Sequence, residues 1–168
     1  GVCLHHDLGM LGAAINRAAL LRQLELLKGM GCDARRTARN MPAQMQMDLC
    51  DSIGMMVMAE SFDMWIYPKC KNGYARFFKE GADRDITNLV LANRHHPSIV
   101  MWSVGNEIPE QSSENGPAML RHLQDLIHKY DTTRPITNGM DRGMAPVKTG
   151  FAHVSEVIGM NYRTHNTL

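Results

Sequence analysis

Ser98-Ile99-Val100-Met101-Trp102-Ser103-Val104-Gly105-Asn106-Glu107 is the stretch whose reading decides the fold. Pro97 stops whatever precedes it, and Ile99 to Trp102 is an unbroken apolar run of strand length. A run without alternation suits a strand buried on both faces, as in a parallel sheet covered by helices. A glycine closes the stretch, and an amide and a carboxylate, Asn106 and Glu107, follow directly. Parallel α/β folds place their chemistry at the carboxyl ends of their strands. A Glu there lies near apolar walls that can raise its pKa, and the Asn beside it can hydrogen-bond a hydroxyl. That pairing suits a general acid acting on a sugar. It suits a helix-capping pair on a solvated loop equally well, so the rest of the chain has to decide.

Outward from this stretch the chain alternates. Val2 to His5 reads as a short strand, followed by a Gly-rich loop. Asn16 can cap a helix whose Leu20, Leu24 and Leu27 recur at helical spacing, closed by Gly31. Residues 33–37 read as a second strand, and Pro42 opens a helix with Met45, Leu49 and Ile53 on one face, ended by Gly54. Met55 to Ala59 is the third strand and delivers Glu60. A long aromatic connection, Phe62 to Tyr74, leads to a helix with Phe78, Ala82, Ile86, Leu89 and Val90 aligned. After Glu107 comes a helix from about Pro117, a strand at Arg134 to Gly139, a helical turn at Phe151 to Glu156 and a sixth strand at Val157 to Asn161.

Strand and helix alternating in this way predict a parallel sheet with right-handed crossovers. It can stay open or close as a (β/α)8 barrel. No GxGxxG or GxxxxGK[ST] motif follows a strand, which removes the main support for an open nucleotide-binding sheet. Polar and aromatic residues follow nearly every strand: His5, Arg39 and Asn40, Glu60, Asn106 and Glu107, Asn138, Tyr162. That distribution fits an α/β fold of the partial TIM-barrel kind, with about six β/α units. A whole barrel takes about 250 residues, so 168 leave roughly two units out.

The chain is long enough for one domain, residues 1–168, and no shift of composition marks a second. With 18 Lys and Arg against 17 Asp and Glu, the net charge of +1 makes nucleic acid and anionic membrane poor partners. No apolar stretch of about 18 residues is present to span a bilayer. The start, Gly1-Val2-Cys3-Leu4-His5-His6, reads as the interior of a longer protein rather than a signal peptide. Cys3, Cys32, Cys50 and Cys70 form no CxxC pair and are expected as free core thiols. The 14 methionines are expected to pack flexibly in the core.

At this point three segments carry a resemblance. Gly1 to Gly9, Asn106-Glu107-Ile108-Pro109-Glu110 and Arg134-Pro135-Ile136-Thr137-Asn138-Gly139 resemble the catalytic barrel of glycoside hydrolase family 2, which includes β-galactosidases and β-glucuronidases. The resemblance implies a retaining β-glycosidase, most readily one acting on β-galactosides, with no cofactor. It implies Glu107 as general acid/base, Asn106 as the amide on the sugar 2-hydroxyl, and His5, Asn40 and Tyr162 as substrate-binding residues. Arg36 would orient the nucleophile, with Tyr162 hydrogen-bonded to it. The family's nucleophile is a Glu ending the seventh strand. The sequence runs to Leu168, just past the sixth, so the nucleophile is expected to be absent from these 168 residues.

Several positions depart from the family's pattern. After strand two the family reads Arg-Thr-Ser-His-Asn, and here it is Arg36-Thr37-Ala38-Arg39-Asn40. An arginine in place of the histidine puts a fixed cation in the site, and facing Glu107 it would favour the carboxylate over the acid. Arg35 sets a charge at a strand-core position, Ala59 stands where the family has Asp, and Gly81 where close members often have an aromatic. These changes keep a second reading alive, a non-catalytic carbohydrate-binding or pseudoenzyme barrel. Trp65 and Tyr67 could stack on sugar or cover the barrel edge. Glu60 and Asp63 lack the histidine usual at a nearby cation site, so no metal site is assigned. His95 and His96 are expected at the bottom of a strand in a structural role, and His6 and Asp7 could be a loop-fixing pair. As an isolated chain the sheet would have open edges at its first and sixth strands, inviting self-association or the remaining barrel segment.

Overall fold

The computed structural model describes residues 1–6 and 8–162; Asp7, half of the loop-fixing pair considered above, lies outside them. Six strands form one sheet in sequential order, every pair parallel. They are β1 (Val2–Leu4), β2 (Ala34–Thr37), β3 (Met56–Glu60), β4 (Ile99–Asn106), β5 (Ile136–Met140) and β6 (Val157–Met160). The crossovers carry α1 (Arg17–Gly29), α2 (Gln44–Ile53), α3 (Ala75–Asn93), α4 (Gly116–His128) and the short α5 (Ala145–Lys148) and α6 (Phe151–Val154). Sequential parallel order with helical crossovers curls the sheet into a partial TIM barrel, as the alternation predicted.

Local chemistry explains most boundaries. The Asn16 side chain accepts from the Ala19 N–H at 3.1 Å and so caps α1. Gly54 ends α2 in the left-handed conformation, φ 67°. Gly81 sits inside α3, where glycine costs about 1 kcal/mol relative to alanine. A Cβ there would lie 2.9 Å from the Tyr74 hydroxyl. The missing side chain lets that hydroxyl cross the helix and donate to Asp85.

Val57, Ala59, Trp102, Val104 and Ile136 face the helical layer and join its core with Leu24, Met47, Ile86, Leu120 and Ile127. The opposite side chains, among them Met58, Met101, Ser103 and Met160, line a trough of about 410 Å3 on the concave face. Within the opening stretch Ile99 is buried, but Val100 is 43% exposed and faces this trough. The run is therefore covered on one face along its first residues, where burial on both was expected. β4 also runs four residues past Trp102, to Asn106, with register shifts against β3 and β5.

Trp65 does not stack at the rim. It is fully buried, donates its indole N–H to Val104 O at 2.9 Å, and packs on Phe78 and Phe151. Burial of one such side chain contributes about 1.5–3 kcal/mol. Arg35 is buried between β2 and α2, with its two terminal nitrogens 2.6 and 2.7 Å from the Gln46 amide oxygen. Beside it, burial pushes the Cys50 thiol up to about 11, against the pull of the Arg35 charge. All four cysteines are free, but Cys50 alone of them is buried; Cys3 and Cys70 are exposed. The methionines are likewise divided, with Met47, Met55, Met64 and Met140 in the core and Met10, Met30, Met56 and Met144 exposed. No described helix is long and apolar enough to cross a membrane.

Candidate active site

The carboxyl ends of β2, β3, β4 and β6 meet in one hydrogen-bonded cluster. Asn106 is 3% exposed and stands at its centre. Its Oδ1 accepts from Arg36 Nη2 and, at 3.2 Å, from Asn161 Nδ2. Its Nδ2 donates to Asp63 Oδ1 at 3.1 Å. Asn161 Nδ2 also donates to Glu107 Oε1 at 2.9 Å, and Asn161 Oδ1 lies 3.5 Å from Arg36 Nη1. One amide just past β6 therefore ties together the candidate acid, its neighbouring amide and the β2 arginine.

Glu60 anchors the cluster from below. It is fully buried and accepts from Arg36 Nη2 at 3.2 Å, the Arg39 backbone N–H at 2.6 Å and the Ser103 hydroxyl at 2.7 Å. Arg36 Nε lies 3.0 Å from Glu60 Oε2 as an ion pair, off the line of its N–H. A buried carboxylate is tolerated when charge and hydrogen bonds are both met, as they are here. Glu60 is thus a support for Arg36. Ala59 is buried in the helix-facing core.

Arg39 does not form an ion pair with Glu107. Its Nε lies 3.6 Å from Asp63 Oδ1, which also accepts from Lys69 Nζ at 3.0 Å. Arg39, Asp63, Lys69, Cys70, Glu107, Asp141 and Arg142 line a cavity of about 480 Å3. His5 and Tyr162, both exposed, share a second cavity of about 290 Å3 with Arg36, Arg39, Asn106 and Asn161. Asn40 is exposed and lines a third, of about 410 Å3, beside Ser61, Phe62 and Tyr74. There, burial and the bond to Asp85 hold the Tyr74 phenol protonated well above its usual range. Glu107, Asn106, Arg36, His5 and Tyr162 are thus gathered on adjoining cavities at one rim, with Asn40 displaced to its side.

Two residues of this site carried no sequence signal. Asn161 read as the last residue of a strand, and Lys69 sat in a loop without periodicity. Only the spacing of Asn161 beside Tyr162 could have raised it. Among the described residues no group of three or more His, Cys, Asp or Glu comes together to hold a metal ion. Chemically the rim offers a carboxyl group beside an oriented amide, at the edge of open cavities.

The family description "Glycosyl hydrolases family 2, TIM barrel domain" matches residues 1–165, and the chain belongs to that family. A β-galactosidase of Bacteroides ovatus is 39% identical over 197 residues, covering 99% of this chain and 23% of that protein. A putative β-glucuronidase of Formosa agariphila is 37% identical, over 83% of this chain and 13% of its own length. The crystal structure of a glycosyl hydrolase family 2 member from Bacteroides cellulosilyticus superposes with a TM-score of 0.90 at 37% identity, over 96% of this chain and 21% of that one. The chain spans less than a quarter of the length of these relatives.

Proposed function

We propose that residues 1–168 supply six strands of the catalytic barrel of a retaining β-glycosidase that removes terminal β-linked sugars, β-galactosides foremost. The observation that carries this reading is the position of Glu107. It stands at the carboxyl end of β4, beside Asn106, with its carboxyl group held by Asn161 at an open rim. Glu107 protonates the leaving oxygen in the first step and activates water in the second. One N–H of the Asn106 amide goes to Asp63, which leaves the other to meet the sugar 2-hydroxyl. His5 and Tyr162 line the sugar pocket, with Asn40 on the flank, and Arg36 orients the nucleophile. That nucleophile is a carboxylate of the seventh strand, about 5–5.5 Å from Glu107 in a retaining arrangement. The match to a β-galactosidase over nearly the whole chain favours galactosides over glucuronides.

The second reading is a barrel that binds carbohydrate without cleaving it. Arg39 favours it, since a cation ion-paired to Asp63 occupies the rim where the family keeps a histidine. One experiment separates the two. The complete protein is assayed on aryl β-galactosides, glucuronides and glucosides, with the anomer of the product followed by NMR. Hydrolysis of the galactoside with retention is expected. Inversion, or binding with no turnover of any of the three, overturns the proposal.

A further inference from the structure

Lys69 lies in the long connection between β3 and α3, and its ammonium has two partners. It donates to Asp63 Oδ1 at 3.0 Å and to the Asn106 carbonyl oxygen at 2.5 Å. That carbonyl belongs to the peptide joining Asn106 to Glu107. The N–H of the same peptide donates to Gly139 O at 2.7 Å. The plane of this peptide sets φ at Glu107, and it is held at both ends.

Glu107 has need of such a hold. Its φ is +50°, in the left-handed region that a side chain beyond glycine enters at a cost. Left to itself the backbone would relax and swing the carboxyl group off its line. The strand ladder explains why a side chain is required. The Asn106 N–H donates to Phe62 O, so the Asn106 carbonyl points to that same side. β3 has already ended there, at Glu60. A buried carbonyl without a donor is costly, and Lys69 supplies the donor. Asp63 completes the grip by accepting from the Asn106 side chain at 3.1 Å. A partly exposed Lys–Asp pair alone contributes little, so the carbonyl bond is the informative contact.

We propose that Lys69 is a positioning residue for Glu107: it locks the 106–107 peptide so that the acid projects at the rim. This rests on the reading of Glu107 as general acid. The test uses the complete protein and two aryl β-galactosides, one with an activated leaving group (2,4-dinitrophenol) and one with a poor one (phenol). An activated aglycone departs without a proton, whereas a poor one needs the acid. The ratio of their kcat/KM values is therefore independent of how much of a preparation is folded. Glu107→Gln is expected to lose the poor substrate selectively, by about 10²–10⁴-fold. Lys69→Met is expected to show the same selectivity at about tenfold, the signature of a displaced acid, and Lys69→Arg to recover part of it. If Lys69→Met lowers both substrates equally, or neither, while Glu107→Gln is selective, the role of Lys69 is overturned and that of Glu107 stands. If Glu107→Gln is not selective, both readings fall.

Discussion

Both ends of the sheet carry side-chain hydrogen-bond networks, but the two differ in where the backbone is strained. At the amino ends the networks join side chains to one another and to the backbone entering the strands. Asp131 accepts from Trp102 Nε1, from the Thr133 N–H and hydroxyl, and from Arg134, while Arg134 reaches Ile99 O and His96 O. His96 in turn pairs with Asp51 and Gln44, the structural role expected of it. Where the chain turns left-handed on entering β2 and β3, it does so at Gly31 and Gly54. At the carboxyl ends the left-handed positions include Arg39, Glu107 and Tyr162, the three non-glycine residues with positive φ among those described. They follow β2, β4 and β6. Each such position costs about 1–3 kcal/mol, so strain is concentrated at the rim that bears the side chains of interest. The lower end stabilises and the upper end presents.

This contrast can be broken or sharpened by substitution at either end. The largest effect is expected for Glu107→Gln in the complete protein. It should lower kcat/KM on a galactoside with a poor leaving group by about 10²–10⁴-fold and leave urea stability within about 0.5 kcal/mol. A large loss of stability instead would make Glu107 a structural residue. Asp131→Asn should do the reverse, costing about 3 kcal/mol in urea unfolding while kcat of the folded enzyme is unchanged.

Burial would raise the Asp131 pKa, but the hydrogen bonds from Thr133, Arg134 and Trp102 outweigh it and hold the carboxyl well below the ordinary 3.8. A group depressed on folding adds stability above its unfolded value and loses it as the pH falls. Melting temperature should therefore drop on acidification below about pH 4 in the wild type, and less in the variant.

Gly139→Ala tests the upper cluster without touching a charge. A Cβ there would lie 3.0 Å from Asn161 Nδ2, the atom that holds Glu107. About a tenfold fall in kcat with little change in melting temperature is expected. Loss of stability alone would show that Asn161 only fills space. The smallest effect belongs to His128. Its hydrogen bond to Glu156 raises its pKa above 6.5. The stability it adds is full below pH 6.5 and is lost as the pH rises through the raised value. After solvent screening this amounts to about 0.5 kcal/mol. His128→Gln should flatten the wild-type decline in melting temperature as the pH rises above about 6.5.

How much of this was legible in the sequence depended on range. Apolar periodicity and end signals are local, and they placed all six strands, their order and the four long helices. β4 outran its apolar core because Ser103, Gly105 and Asn106 continue the ladder, which hydrophobicity does not record. The resemblance pointed to Glu107, Asn106 and Arg36, and the three are adjacent in space. Asn161 and Lys69 were not legible as members of the cluster. The contacts that matter join residues 37 to 125 positions apart, and nothing in a neighbouring residue announces them. The indole of Trp65 read equally as a sugar-stacking ring or a cover for the barrel edge; it is instead in the core, held by Val104 O and Phe78.

The burial of Trp65 bears on how the site opens. The connection from Ser61 to Tyr74 forms one side of the rim, and loops of this length often swing as lids. This one is pinned near its middle by an indole locked beneath β4, and again by the Tyr67 N–H on the buried Glu110. It behaves as a wall. On the proposed reading of the site, this side of the rim needs no hinge for a sugar to enter or leave. The Trp65 indole proton should exchange with solvent only as fast as the whole domain unfolds.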